Sequence, residues 1–136
     1  MTAEPHYVYV EDDIKSREVM QLMMNRVIKH CTLTIFPDGI DFLDRLKALT
    51  TPPTLILLDI HMQPFDGFAL LNLLRTDPAY RTTPVVALTA SVMNEEVEKL
   101  RESGFNGVIG KPVSPHSFPN LLTQILDGES VWNVAN

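Results

Sequence analysis

Short aliphatic runs recur along this chain with room for one helix between each pair, and that alternation constrains the fold more than any other feature. The runs are "HYVYV" (6–10), "TLTIF" (32–36), "TLILL" (54–58), "VVAL" (85–88) and "GVIG" (107–110). Apolar, largely β-branched residues dominate them, as in strands covered on both faces. Amphipathic helical patterns fill the gaps. Val19, Met20, Met23, Met24 and Val27 make the first stripe; Phe42, Leu43 and Leu46, after Asp38-Gly39, make a short second one. "FALLNLLRTD" (68–77) forms a third helix that must stop before Pro78. A fourth turns Met93, Val97 and Leu100 inward and Glu95, Glu96, Lys99 and Arg101 outward, with Gly104 as its C-cap. Phe118, Leu121, Leu122, Ile125 and Leu126 give the fifth its apolar face. Five strands alternating with five helices predict an α/β domain, a parallel five-stranded sheet with helices on both faces.

Right-handed crossovers bring every strand's carboxyl end to one edge, where ligands of open parallel sheets sit. The residues just after each strand are therefore the informative ones. Glu11, Asp12 and Asp13 come after the first, Asp59 after the third, Thr89 after the fourth, and Lys111 with Pro112 after the fifth. Singly these residues are ordinary: Asp13 suits a helix N-cap, Thr89 a strand-end hydroxyl bonded to backbone, Lys111 a solvated lysine. Jointly they place carboxylates, a hydroxyl and an ammonium on one edge. Clustered carboxylates repel and call for a cation, and hard oxygen ligands suit Mg²⁺. A carboxylate beside a metal and a lysine is a competent nucleophile toward a phosphoryl group. Asp59, directly after four aliphatic residues and central in the set, is the candidate acceptor.

Bulk properties exclude several classes. The 136 residues suffice for one domain, and the formal net charge of −6 argues against a nucleic-acid surface. The single cysteine, Cys31, permits no intrachain disulfide and fits a reducing compartment. "MTAEPHY" lacks the basic start and apolar run of a signal peptide, and no apolar run reaches the length of a membrane span. The expectation is a soluble, cytoplasmic single domain over 1–136, with a core at about 7–127 and a short tail at 128–136. Val131, Trp132 and Val134 in the tail "DGESVWNVAN" are expected to pack back on the domain. With no output domain after that tail, signalling is expected to run through protein contact.

Four segments, "VEDD" (10–13), "LLDIHMQPFDG" (57–67), "PVVALTA" (84–90) and "GKP" (110–112), together resemble the response regulator receiver domains of two-component signalling, over about residues 7–127. The resemblance implies a flavodoxin-like (βα)5 fold with Asp59 as phosphoacceptor. It implies Asp12 as a direct Mg²⁺ ligand, Glu11 acting through water, and the backbone carbonyl of His61 as a further ligand. Thr89 would be the switch hydroxyl and Lys111 the family's lysine. The side chains of His61 and Ser91, two residues beyond Asp59 and Thr89, either tune dephosphorylation or lie exposed. Implied partners are a histidine kinase or a histidine phosphotransfer protein, and a downstream protein docking on the face of the fourth helix, fifth strand and fifth helix. The charge and the lack of a long apolar run give the expectation of no nucleic-acid and no membrane partner; a monomer or weak homodimer is expected, with no catalysis beyond the domain's own phosphorylation and dephosphorylation.

The sequence departs from the family pattern at four places. Glu11 stands where Asp is usual, and proline falls at Pro64 rather than at Gln63. Val108 replaces an aromatic residue three before Lys111. Pro119 is too late for a helix capped by Ser114, so the last helix either begins later, at Ser117, or has a distorted first turn. A haloacid dehalogenase-type hydrolase would also use a strand-end Asp, Thr, Lys and Mg²⁺, but it wants a second Asp where His61 stands. A flavodoxin wants a phosphate-cradling loop where "EDDIKSRE" offers negative charge. Met20, Met23 and Met24 read as core, Cys31 as a small buried residue without a partner, and His6, His30 and His116 show no metal-ligand spacing.

Overall fold

The computed structural model describes residues 4–132. One parallel sheet holds β1 (His6–Val10), β2 (Thr32–Phe36), β3 (Leu55–Asp59), β4 (Val85–Thr89) and β5 (Gly107–Gly110), in the order β2-β1-β3-β4-β5. This is the flavodoxin-like order, and its direction reverses between β1 and β3, which opens the crevice at their carboxyl ends. The helices are α1 (Ile14–Met23), α2 (Phe42–Lys47), α3 (Gly67–Thr76), α4 (Asn94–Ser103) and α5 (Phe118–Leu126).

Strand alternation sorts the core into two halves. Tyr7, Tyr9, Leu57, Leu88 and Ile109 face the methionines of α1 and the apolar stripe of α5. Val8, Val10, Leu58, Ala87 and Val108 face α2, α3 and α4. Every residue of β1, β3, β4 and β5 is buried, and apart from His6, Asp59 and Thr89 at their ends these strands carry only apolar and aromatic residues; β2, at the edge, is half-covered.

Several stripe residues turn out differently from the periodic expectation. Met20, Met23 and Met24 are buried, but Val19 and Val27 are exposed. Val19 is one residue, about 100° of rotation, from Met20. Val27 falls in a π-helical stretch, Met24–Ile28, whose wider turn breaks the helical phase. Met93 is 72% exposed because it precedes α4 in extended backbone and never joins the helical face. Leu126, the last residue of α5, is also exposed. Cys31 is half-buried and its thiol makes a weak contact with the Met24 carbonyl at 3.8 Å, so it has a partner.

Helix ends obey local chemistry. Asp13 caps α1 by accepting from Ser16 N at 2.8 Å, and Asp66 caps α3 by accepting from Ala69 N at 2.9 Å. Gly104 closes α4 at φ 105°, a conformation only glycine adopts without strain. The Pro119 question resolves toward a later start: α5 begins at Phe118 with Ser117 at the N-cap position. Ser117 makes no capping bond; among the described residues its Oγ is the one buried side-chain oxygen or nitrogen without a partner.

The tail lies along the free edge of β5. Val131 pairs in parallel with Gly107: Val108 N donates to Val131 O at 2.8 Å, and Val131 N to Asn106 O at 3.4 Å. Trp132 packs on the α3–α4 side, with the Arg101 guanidinium 4.8 Å from its ring centre. Val131 and Trp132 thus fold back as expected, whereas Val134 lies outside the described residues. Among the described residues, no helix is long and apolar enough to cross a membrane.

Candidate functional site

Strand register builds the site. Val10 pairs with Leu58, so the next residues, Glu11 and Asp59, are neighbours across the β1–β3 crevice. Thr89 pairs with Gly110, and Lys111 N still donates to Thr89 O at 2.9 Å, which sets Lys111 one step beyond β5. Alternation then decides direction. Glu11, Asp59 and Lys111 share parity with Tyr9, Leu57 and Ile109 on the α1–α5 side, while Thr89 shares parity with Ala87 on the α4 side. Because β4 lies between β5 and β3, a side chain must span a strand to join the acids, and the long stem of lysine does so.

The resulting contacts are short. Lys111 Nζ donates to Glu11 Oε1 at 2.9 Å and to Asp59 Oδ1 at 3.3 Å. Tyr9 OH donates to Glu11 Oε1 at 2.6 Å. Glu11 is fully buried and Asp59 nearly so, while Asp12 is exposed. One carboxylate oxygen from each of Glu11, Asp12 and Asp59 lies within 4.8 Å of the others. Among the described residues no other group of acids, histidines or cysteines is arranged this way.

The charges of the cluster do not balance. Burial, then the neighbouring Glu11 carboxylate, pushes Asp59 up to about 7, more than Lys111 pulls it down. Burial also works against the Glu11 charge, but contacts from Asp59, Lys111 and Tyr9 outweigh it and hold Glu11 below the usual carboxylate range. Burial likewise disfavours the Lys111 ammonium, and its two acidic partners more than restore it, raising it above the ordinary lysine value. Three carboxylates facing one ammonium leave a deficit that a hard divalent cation fills, and an all-oxygen donor set with an exposed Asp12 fits Mg²⁺.

The remaining predicted residues sit around this centre. Thr89 is fully buried, and its Oγ1 accepts from Ser91 N at 3.0 Å. Ser91 is half-buried, whereas His61 is exposed and lines a depression with Asp66, Phe68, Glu96 and Lys99. Val108 is fully buried and belongs to the core. One contribution has no signature in the sequence. Tyr9 looks like an ordinary strand aromatic, yet its hydroxyl engages an acid two residues on. Gly67, the last residue of the segment "LLDIHMQPFDG", opens α3 against the acceptor, and the structure gives the reason: a Cβ there would meet Asp59 O at 2.9 Å and Ile60 Cδ1 at 2.7 Å.

Comparison with known proteins agrees with this geometry. The response regulator receiver domain family matches residues 8–123. The chain is 30% identical over 122 residues to a 14.6 kDa protein of Leptolyngbya boryana, covering 90% of each chain. It is 33% identical over 119 residues to the osmosensing histidine protein kinase SLN1 of Saccharomyces cerevisiae, covering 85% of this chain but 10% of the kinase, so it spans about a tenth of that protein. The receiver domain of a signal transduction histidine kinase from Syntrophus aciditrophicus superposes with a TM-score of 0.77 at 26% identity, over 91% of each chain. The chemotaxis protein CheY4 of Vibrio cholerae shares the fold, with a TM-score of 0.80 at 21% identity over 90% of this chain and 99% of that one. These matches leave the dehalogenase-type alternative without support, and receiver domains are domains that bind Mg²⁺ at an acidic pocket and interact with histidine kinases or phosphotransfer proteins. With its acidic cluster at the β1–β3 crevice and a family match over most of its length, the chain belongs to the response regulator receiver domains of two-component systems.

Proposed function

We propose that Asp59 accepts a phosphoryl group from a phosphohistidine of a kinase or phosphotransfer protein, and that the domain signals by protein contact in the phosphorylated state. The observation that carries this is Lys111 Nζ bridging Glu11 and Asp59 within a cluster of three carboxylates. An Asp59 oxygen attacks phosphorus, the P–N bond breaks, and the imidazole leaves with the electron pair and takes up a proton. The product is an acyl phosphate. Glu11, Asp12, Asp59 and the His61 carbonyl are the groups to hold Mg²⁺, which when bound supplies charge neutralisation at the transferring oxygens. Lys111 exchanges its carboxylate partners for a phosphoryl oxygen. Thr89 gives up its bond from Ser91 N and donates its hydroxyl to another. His61 and Ser91 flank the path of an attacking water and tune the lifetime of the phosphate.

The output face is that of α4, β5 and α5, without nucleic acid, which the net charge of −6 disfavours. The domain works in the cytoplasm as a monomer or weak homodimer, and its chemistry is confined to its own phosphorylation and dephosphorylation. Intact-mass spectrometry after incubation with acetyl phosphate and Mg²⁺ tests the assignment. One added phosphate is expected, lost in Asp59→Asn and on chelation; an undiminished yield in Asp59→Asn overturns it.

A further inference from the structure

Glu11 is one methylene longer than the aspartate usual at its position, and the structure shows what takes up the extra length. Tyr9 lies in β1 and Glu11 directly follows the strand, two residues on, so their side chains fall on the same side of the sheet. Tyr9 is 1% exposed, and its hydroxyl donates to Glu11 Oε1 at 2.6 Å. Lys111 donates to the same oxygen at 2.9 Å. The other oxygen, Oε2, takes a long 3.4 Å contact from Asp13 N. Two donors thus converge on one oxygen of Glu11, and a carboxylate oxygen of Glu11 lies within 4.8 Å of one from Asp12 and one from Asp59.

We infer that Tyr9 is a positioning residue for the metal site: its hydroxyl anchors the longer Glu11 carboxylate so that the remaining oxygen faces the cation. This rests on the reading of Glu11, Asp12 and Asp59 as the metal-holding acids. Glutamate has one more rotatable bond than aspartate, and that freedom must be removed before the carboxylate serves a fixed ligand position. The anchor also persists when Lys111 turns to a phosphoryl group, since Tyr9 is packed in the core and its bond to Glu11 does not depend on Lys111. Hydrogen bonds of this kind, from an outer group to a carboxylate at a metal, typically change affinity by about 10–100-fold. An aspartate at position 11 would draw the carboxylate back by about one carbon–carbon bond, out of reach of Tyr9 OH. Tyrosine at 9 and glutamate at 11 therefore form one unit.

The test is a double-mutant cycle read by calorimetric titration of Mg²⁺ alone into the intact, unphosphorylated chain. Tyr9→Phe keeps the ring and removes the hydroxyl; its Mg²⁺ Kd is expected to rise about tenfold. In a Glu11→Asp background the same change is expected to leave Kd within twofold, because the bond it deletes is already gone. With acetyl phosphate, Tyr9→Phe should raise the Mg²⁺ concentration for half-maximal rate while the rate at saturating Mg²⁺ stays within threefold. A merely structural tyrosine would lower thermal stability equally in both backgrounds and leave Kd alone, and that result overturns the inference. Failure of the unsubstituted chain to bind Mg²⁺ overturns the metal-site reading as well. Normal binding with an unchanged Tyr9→Phe overturns the role of Tyr9 alone.

Discussion

At the amino end of the sheet, His6 is 5% exposed, and every polar atom of its ring has a neutral partner. Nδ1 meets Thr51 O at 3.0 Å and Thr51 Oγ1 at 2.9 Å, Nε2 meets Thr34 Oγ1 at 2.7 Å, and the backbone N–H donates to Thr54 Oγ1. At the carboxyl end, Glu11 and Asp59 are as deeply buried, but the protein gives them one ammonium between them. The same sheet therefore buries polar groups at both ends in different ways. At one end hydrogen bonds satisfy the group and the matter closes. At the other, hydrogen bonds are plentiful and charge is still in surplus, so only an added cation or a change of protonation balances it. Burial of a polar residue says little about function; a charge imbalance that the fold leaves open says a good deal.

The largest expected break in this symmetry is at Lys111. Lys111→Ala removes the only cation paired with the carboxylates of Glu11 and Asp59 among the described residues, and with it the group that would neutralise a transferring phosphoryl oxygen. The domain should still fold, since Asp59 can take up a proton, but phosphorylation by acetyl phosphate should slow by about 100-fold. His6→Ala makes the matching cut at the other end. It leaves Thr34 and Thr51 without their partner and should cost about 1–3 kcal/mol in a urea melt, with a phosphorylation rate within twofold of the parent. If the two variants slowed phosphorylation alike, the two ends would not differ in kind.

A third measurement sharpens the contrast through pH. Asp59 titrates near 7 in the folded domain, well above its value in an unfolded chain, so the folded state holds the extra proton. Its contribution to stability is present in full below about pH 4 and is lost as pH rises through about 7. Glu11, held low, acts in the opposite sense and only under more acid conditions. Asp59→Asn cannot ionise, so in chelator it should exceed the parent in stability by about 1–2 kcal/mol at pH 8 and lose most of that gain by pH 5. Equilibrium unfolding at the two pH values decides this, and a gain that is the same at both would remove the like-charge explanation.

What the sequence revealed of this arrangement depended on whether a signal was local. All five strands fell within a residue of their places because runs such as Leu55 to Leu58 are too apolar to lie elsewhere; β3 and β4 each run one residue further, into Asp59 and Thr89. The acids and Lys111 were legible because each comes directly after a strand, and topology does the rest. Val27 and Met93 were misplaced by local geometry that no periodicity encodes, a π-helical stretch and an extended residue before a helix. Tyr9 was missed because an aromatic in a strand already has a sufficient reason to be there. Only its hydroxyl, 2.6 Å from Glu11, shows the second role. The pairing of Val131 with Gly107 was also hidden: it depends on glycine having no Cβ, since one would lie 2.6 Å from Val131 O.

The smallest expected effect concerns how the charge imbalance is communicated, and here β5 and α4 make the comparison again. β5 is held from both sides. It pairs with β4, its Val108 N–H is taken by the tail, and the Val108 side chain is fully buried with no aromatic ring that could turn between two positions. The start of α4 has few such restraints: Met93 offers no capping side chain, Val92 and Met93 are exposed, and the preceding Thr89 hydroxyl is bonded only within its own loop among the described contacts. A change at Thr89 should therefore spread into residues 89–104 and leave 107–110 nearly still. A coupling of about 1–3 kcal/mol spread over that segment is enough to alter partner affinity by 5–150-fold. Amide exchange compared between the free and the beryllofluoride-bound protein measures it. Protection changes should concentrate in 89–104, with Val108 N–H altered little; the largest change at 107–110, with α4 unaffected, would mean that β5 carries the signal.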